Sequence, residues 1–143
     1  MSWLLDADIL SQPAKRRGDT RAIAWLEQEK PRCYTSAVVM AQLALWVRSK
    51  EGRQRQLLQA WLRQLVAGLH GRILSFNASV AHVWADQEWE LQEVGQRMPV
   101  EDSYISATAR RYNLTVVTGN DKHFRRPGLK VFNPFKELRK VQS

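Results

Sequence analysis

Short apolar segments that stop abruptly alternate along this chain with longer segments whose apolar residues recur at helical spacing. That alternation restricts the fold more than any other feature, because strands separated by helices pair most simply as a parallel sheet with helices on both faces. Residues 2–5 (Ser-Trp-Leu-Leu) are apolar and end at Asp6, the pattern of a buried first strand. Residues 19–29 place Ala22, Ile23, Trp25 and Leu26 on one helical face before Pro31 ends the run. Residues 32–35 read as a second strand, and Ser36 is a favourable N-cap for a helix reaching about Lys50. Gly52 breaks that helix, and residues 53–69 present Leu57, Leu58, Trp61, Leu62, Leu65, Val66 and Leu69 as one face turned to a core. Residues 72–76 alternate like a strand, and Asn77 can cap a helix over 78–94 that Gly95 closes. Pro99 opens a further helix, where its missing N–H costs nothing, and Asn113 falls where a left-handed residue ends it. Residues 114–117 and 130–132 complete the set of strands.

The 143 residues suit one domain, assigned to residues 1–135, with a basic tail over 136–143. No apolar run approaches the roughly 20 residues that span a bilayer, so no membrane role is expected. Asp6 interrupts the N-terminus too early for a signal peptide, and the single Cys33 forbids an internal disulfide. Both features suit a reducing, cytoplasmic setting. Lys and Arg number 22 against 14 acids, a net charge of +8, with clusters at Lys15-Arg16-Arg17, Arg53 and Arg55, Arg110-Arg111, Arg125-Arg126 and from Lys136 to Lys140. Polyanions are the expected partners, because pairing Lys and Arg with phosphates releases counterions.

In an open parallel sheet the site lies beyond the carboxyl ends of the strands. Asp6 ends the first strand with Asp8 two residues on, Asp102 falls in the first turn of the helix opened by Pro99, and Asp121 follows the strand that ends at Thr118. Each has a local alternative: a cap or helix-dipole partner for Asp8 and Asp102, turn chemistry for Asn120-Asp121. Asp6 has the least obvious local use. Two carboxylates about 4 Å apart repel by about 4 kcal/mol at an effective dielectric of 20, so several at one edge call for a cation. Oxygen donors suit Mg²⁺ or Mn²⁺, and His70, His82 and His123 show no zinc spacing with Cys33.

Leu4-Leu5-Asp6-Ala7-Asp8-Ile9-Leu10-Ser11 resembles the opening motif of PIN domains of the VapC kind. Pro99-Val100-Glu101-Asp102-Ser103-Tyr104-Ile105-Ser106-Ala107 is similar to their central motif, and Val117-Thr118-Gly119-Asn120-Asp121 through Phe124 to their fourth. Residues 71–76 and 131–134 match as well, so the likeness runs through nearly the whole chain in order. It implies a three-layer α/β/α sandwich with a central, mainly parallel sheet. It further implies a Mg²⁺- or Mn²⁺-dependent ribonuclease, the toxin of a type II toxin–antitoxin pair in the bacterial cytoplasm. Such a toxin acts on RNA, usually as a homodimer, and is held inactive by a cognate antitoxin. Carried over by position, Asp6 and Asp102 match metal-binding acids, and the fourth motif offers Asn120 with Asp121 as the charged ligand. Asp8, Gln42 and Thr118 are expected to line the site. The expected reaction is in-line attack of water on a phosphodiester.

One departure stands out: the family pattern has Glu where this chain has Gln42. Either turnover is weakened, or Asp8 supplies the charge, or the position was altered to silence a toxic product. The alternative function is a degenerate PIN domain that binds antitoxin or RNA without cleavage. A phosphoacceptor receiver is disfavoured because the third strand ends in Phe76-Asn77 rather than an acid, and a DNA-threading nuclease lacks room for its helical arch.

Overall fold

The computed structural model describes residues 1–137. Strands β1 (Trp3–Leu5), β2 (Cys33–Ser36), β3 (Ile73–Leu74), β4 (Thr115–Val117) and β5 (Val131–Phe132) form one sheet. Its order is β3-β2-β1-β4-β5, and every pairing is parallel. Helices α1 (Ala7–Leu10), α2 (Thr20–Glu29), α3 (Ala37–Arg48), α4 (Gly52–Gly68), α5 (Ala78–Glu93), α6 (Val100–Arg111) and α7 (Asp121–Phe124) connect the strands and flank the sheet. This is the expected α/β sandwich, with the sheet wholly rather than mainly parallel.

The strands are buried because helices cover both of their faces, so they read as continuous apolar runs rather than alternating ones. Leu4, Leu5, Val116 and Val117 of the two central strands are at most 2% exposed, and Ile105, Val39, Leu43 and Phe124 pack around them. Pairing Leu4 with Val116 and Leu5 with Val117 brings β1 and β4 to an end together. The chain steps outward from β1 to β3, then returns to lay β4 against β1's other edge. The β1/β4 junction is therefore the topological switch point, where parallel sheets open a crevice.

The helix ends follow the capping chemistry legible in the sequence. Asp19, Ser36 and Asn77 accept backbone N–H groups at the starts of α2, α3 and α5, and Asn113 has φ 55° after α6. Three expectations change. Pro99 is the N-cap of α6 rather than its first helical residue. The strand expected over 72–76 shrinks to Ile73–Leu74, a short edge strand. On α4 only Leu58 is buried, whereas Leu57 and Val66 are 59% and 43% exposed. That helix packs on α3, through Trp61 against Trp46, and its apolar arc is wider than the surface it covers. The tail expected over 136–143 begins inside a helical turn at 134–137 and otherwise lies outside the described residues.

Candidate active site

β1 ends at Leu5, and the next residue, Asp6, has extended backbone that lets its carboxylate turn back over the start of α1. Asp6 Oδ1 accepts the Ala7 N–H at 2.9 Å, so Asp6 is the cap of α1, a local use the sequence did not suggest. Asp6 Oδ2 accepts the Thr118 hydroxyl at 2.8 Å, across the β1/β4 junction. Thr118 in turn accepts the Asn120 N–H at 3.0 Å, which fixes the first turn after β4. Asp6 is 5% and Thr118 0% exposed, so the bond between them runs where water does not compete.

Asp8 leans the other way. Its Oδ2 accepts the Gly119 N–H at 2.8 Å, tying α1 to the loop after β4. Only glycine fits at 119, since a Cβ there would stand 2.6 Å from Asp8 Oδ2 and 2.8 Å from the Phe135 ring. Asp8 Oδ1 is buried and, among the described residues, has no hydrogen-bond partner.

Asp102, in the first turn of α6, lies within reach of the Asp6 charge. Its Oδ2 lies 3.1 Å from His123 Nδ1, with the Asp102 side chain 14% and the imidazole 54% exposed. The electrostatics join these groups into one site. Burial pushes the Asp6 carboxyl above its ordinary value, and the Thr118 and Ala7 bonds with the His123 charge draw back only part. Burial and the Asp6 charge push Asp8 up to about 6. Burial, then the Asp6 charge, raises Asp102 against the pull of His123, and Glu101 adds to the rise. Raised, mutually repelling carboxyls in a crevice mark a functional site, because their crowding costs stability.

Asp121 stands apart. Its carboxylate accepts from Asn133 Nδ2 at 3.1 Å and Arg125 Nε at 3.2 Å, with Lys136 Nζ at 3.5 Å. Burial works to raise it, but these bonds and charges outweigh burial and hold it below the ordinary carboxylate value. The cause is helical geometry: at about 100° per residue, positions 121 and 123 of α7 face nearly opposite directions. His123 faces Asp102, so Asp121 faces Arg125 and Asn133. Asp6, Asp8 and Asp102 share one electrostatic neighbourhood with His123, while the Asp121 carboxylate is bonded to Arg125 and Asn133. That two-residue offset was the available signal for His123.

Gln42 also differs from expectation. Its amide Nε2 donates to Glu101 Oε1 at 2.8 Å, linking α3 to the first turn of α6.

The implied Mg²⁺ or Mn²⁺ can be tested against these donors. Among the described residues no three His, Cys, Asp or Glu side chains are set to close on one ion. Mg²⁺, however, is commonly held by one or two carboxylates and completed by water and substrate phosphate. Asp6 and Asp102 supply that pair. The orphaned Asp8 Oδ1 is a further oxygen, and Cys33, the one thiol, lies at the far end of β2. The donor set fits a hard divalent cation.

An all-parallel sheet with acids gathered at its switch point defines a protein of the α/β sandwich class. The PIN domain family matches residues 3–129, and the chain belongs to that family. Toxin FitB of Neisseria gonorrhoeae is 33% identical over 135 residues, covering 92% of this chain and 97% of that protein. A VapC ribonuclease of Sinorhizobium fredii is 27% identical, covering 92% and 96%. The crystal structure of FitAcB from Neisseria gonorrhoeae superposes with a TM-score of 0.88 at 32% identity, covering 94% of this chain and 99% of that one. Among the described residues no helix is long and apolar enough to cross a membrane.

Proposed function

We propose that this chain is a Mg²⁺- or Mn²⁺-dependent endoribonuclease, the toxin of a type II toxin–antitoxin pair. The observation that carries the reading is the crevice in which Asp6, fixed by Thr118, shares its field with Asp102, fixed by His123. The names of the relatives, a toxin and a VapC ribonuclease, point the same way.

In this reading Asp6 and Asp102 hold the cation, with Asp8 beside them. When bound, the cation lowers the pKa of coordinated water and steadies charge on the phosphoryl oxygens. Thr118 and Ala7 occupy one lone pair on each Asp6 oxygen, which leaves a further lone pair on each for a cation or its waters. Asp102 would accept the proton of an attacking water, and His123 Nδ1, which favours the charged carboxylate, would orient its Oδ2 for the task. Asp121 is a positioning residue that anchors α7 through Arg125 and Asn133 and so aims His123.

The basic clusters divide by use. Arg110 bonds Gln87 and the Pro127 carbonyl, and Arg126 bonds the carbonyls of Gln96, Arg97, Lys122 and Arg125, so both brace the fold. Lys15, Arg16 and Arg17 are exposed, and the Lys15 charge reaches Asp8. That loop is our candidate grip on the RNA backbone. A cognate antitoxin and a second copy of the chain are the proposed protein partners, and the bacterial cytoplasm the proposed setting.

The test is cleavage of single-stranded RNA with and without Mg²⁺ or Mn²⁺, beside Asp6→Asn and Asp102→Asn. Cation-dependent cleavage lost in both variants is expected. RNA binding with no cleavage under any cation would instead establish the degenerate, binding-only alternative.

A further inference from the structure

Glu101 is exposed and Gln42 half-buried, and they share the hydrogen bond that ties α3 to α6 beside Asp102. An exposed Glu left to itself spreads over many rotamers, and ordering it costs entropy. The bond engages one of its two oxygens and restricts where the carboxylate can point. Its charge is felt at the site, since Glu101 is among the groups that raise Asp102. The chemistry of the pair is specific. An amide donates N–H to a carboxylate, whereas a carboxylate at 42 would set oxygen against oxygen at the same separation. The two side chains therefore carry one negative charge between them, on α6 rather than on α3.

We propose that Gln42 and Glu101 act as a unit, in which the amide aims a carboxylate that helps attract and steady a hydrated divalent cation beside Asp102. This rests on the metal-dependent reading above. It makes Glu101 an outer partner of the cation and Gln42 a positioning residue. It also gives the amide at 42 a definite use. The competing use is mechanical, a clip between α3 and α6 with no bearing on the cation.

The experiment measures Mn²⁺ binding by the full chain without RNA, following free Mn²⁺ by its electron paramagnetic resonance signal, beside thermal unfolding of each variant. Partners of this kind typically contribute 10–100-fold in metal affinity. Glu101→Gln is expected to weaken Mn²⁺ binding about tenfold, at the low end because Glu101 is exposed. Gln42→Ala should weaken it less, since the charge stays but is no longer aimed. The exchanged pair, Gln42→Glu with Glu101→Gln, restores one charge and one donor and should recover affinity to near the starting value. Unchanged affinity in Glu101→Gln, with or without a lowered melting temperature, overturns the proposal in favour of the clip. So does an exchanged pair that binds no better than Glu101→Gln alone. Asp6→Asn separates the two levels: if it too binds Mn²⁺ normally, the metal-dependent reading falls, and if it alone fails to bind, only the unit of Gln42 and Glu101 does.

Discussion

Thr118 Oγ1 donates a 2.8 Å hydrogen bond to Asp6 Oδ2, joining residues 112 positions apart where β1 and β4 end side by side. The bond is buried and its acceptor is a carboxylate, the circumstance in which a hydrogen bond contributes about 1.5–3 kcal/mol. Thr118→Val keeps the shape and removes the donor. It is expected to lower the unfolding free energy by about that amount in urea titrations, and to push the Asp6 carboxyl further up. Thr118→Ser should retain most of both. A valine variant as stable as the parent would show the bond to be idle.

Asp8 makes the stability of the metal-free protein depend on pH. Its carboxyl has an ordinary value of 3.8 and stands at about 6 in the folded chain. Between those values the folded state holds a proton that the unfolded state has released, so stability falls as pH rises from about 4 to about 6. At pH 7 the deficit is about 3 kcal/mol. Asp8→Asn keeps an acceptor for the Gly119 N–H and removes the charge. Melting temperatures across this range should decline with pH in the parent and stay flatter in the variant, with the variant the more stable at pH 7.

The opposite sign applies to Asp121. Its carboxyl lies below the ordinary value, so it stabilises the fold above that range, and the contribution disappears as pH falls through the folded value. Asp121→Asn weakens the bonds from Arg125 and Asn133 and should cost about 1–3 kcal/mol in denaturant unfolding. Mn²⁺ affinity should change far less than in Asp6→Asn. An equal loss of metal in both would return Asp121 to the ligands.

Lys15, Arg16 and Arg17 test the RNA grip. Each phosphate contact to a single strand adds about 0.7 to the slope of log affinity against log salt. Replacing all three with Ala in an Asp6→Asn background should lower that slope by about 2 if each makes one contact. Binding with an unchanged slope would place the RNA elsewhere.

The proposed homodimer has a candidate face. Leu45 on α3 is 71% exposed beside a groove of about 650 Å³ lined by Val38, Ala41, Trp46 and Tyr104. Large exposed apolar patches are uncommon on monomers. Leu45→Glu is expected to shift sedimentation from dimer toward monomer. A parent chain already monomeric at high micromolar concentration would remove the proposal.

The order of strands and helices was legible in the sequence, because it rests on local physics: apolar period, capping by Asp19, Ser36 and Asn77, and breaks at Gly52 and Gly95. So was the gathering of acids at the carboxyl edge, since a parallel sheet turns every strand end the same way. Orientation was not legible there. Asp121 and His123 are two residues apart on α7, and only packing decided that one bonds Asn133 and the other Asp102. The wide apolar arc of α4 promised burial that the fold provides only in part, with Leu58 buried while Leu57 and Val66 stay exposed. Gln42 read as a missing charge until the fold set it against Glu101, 59 positions away. Sequence patterns carry information a few residues long. Which side chains meet across the sheet is settled by how the layers pack, and no local pattern contains that distance.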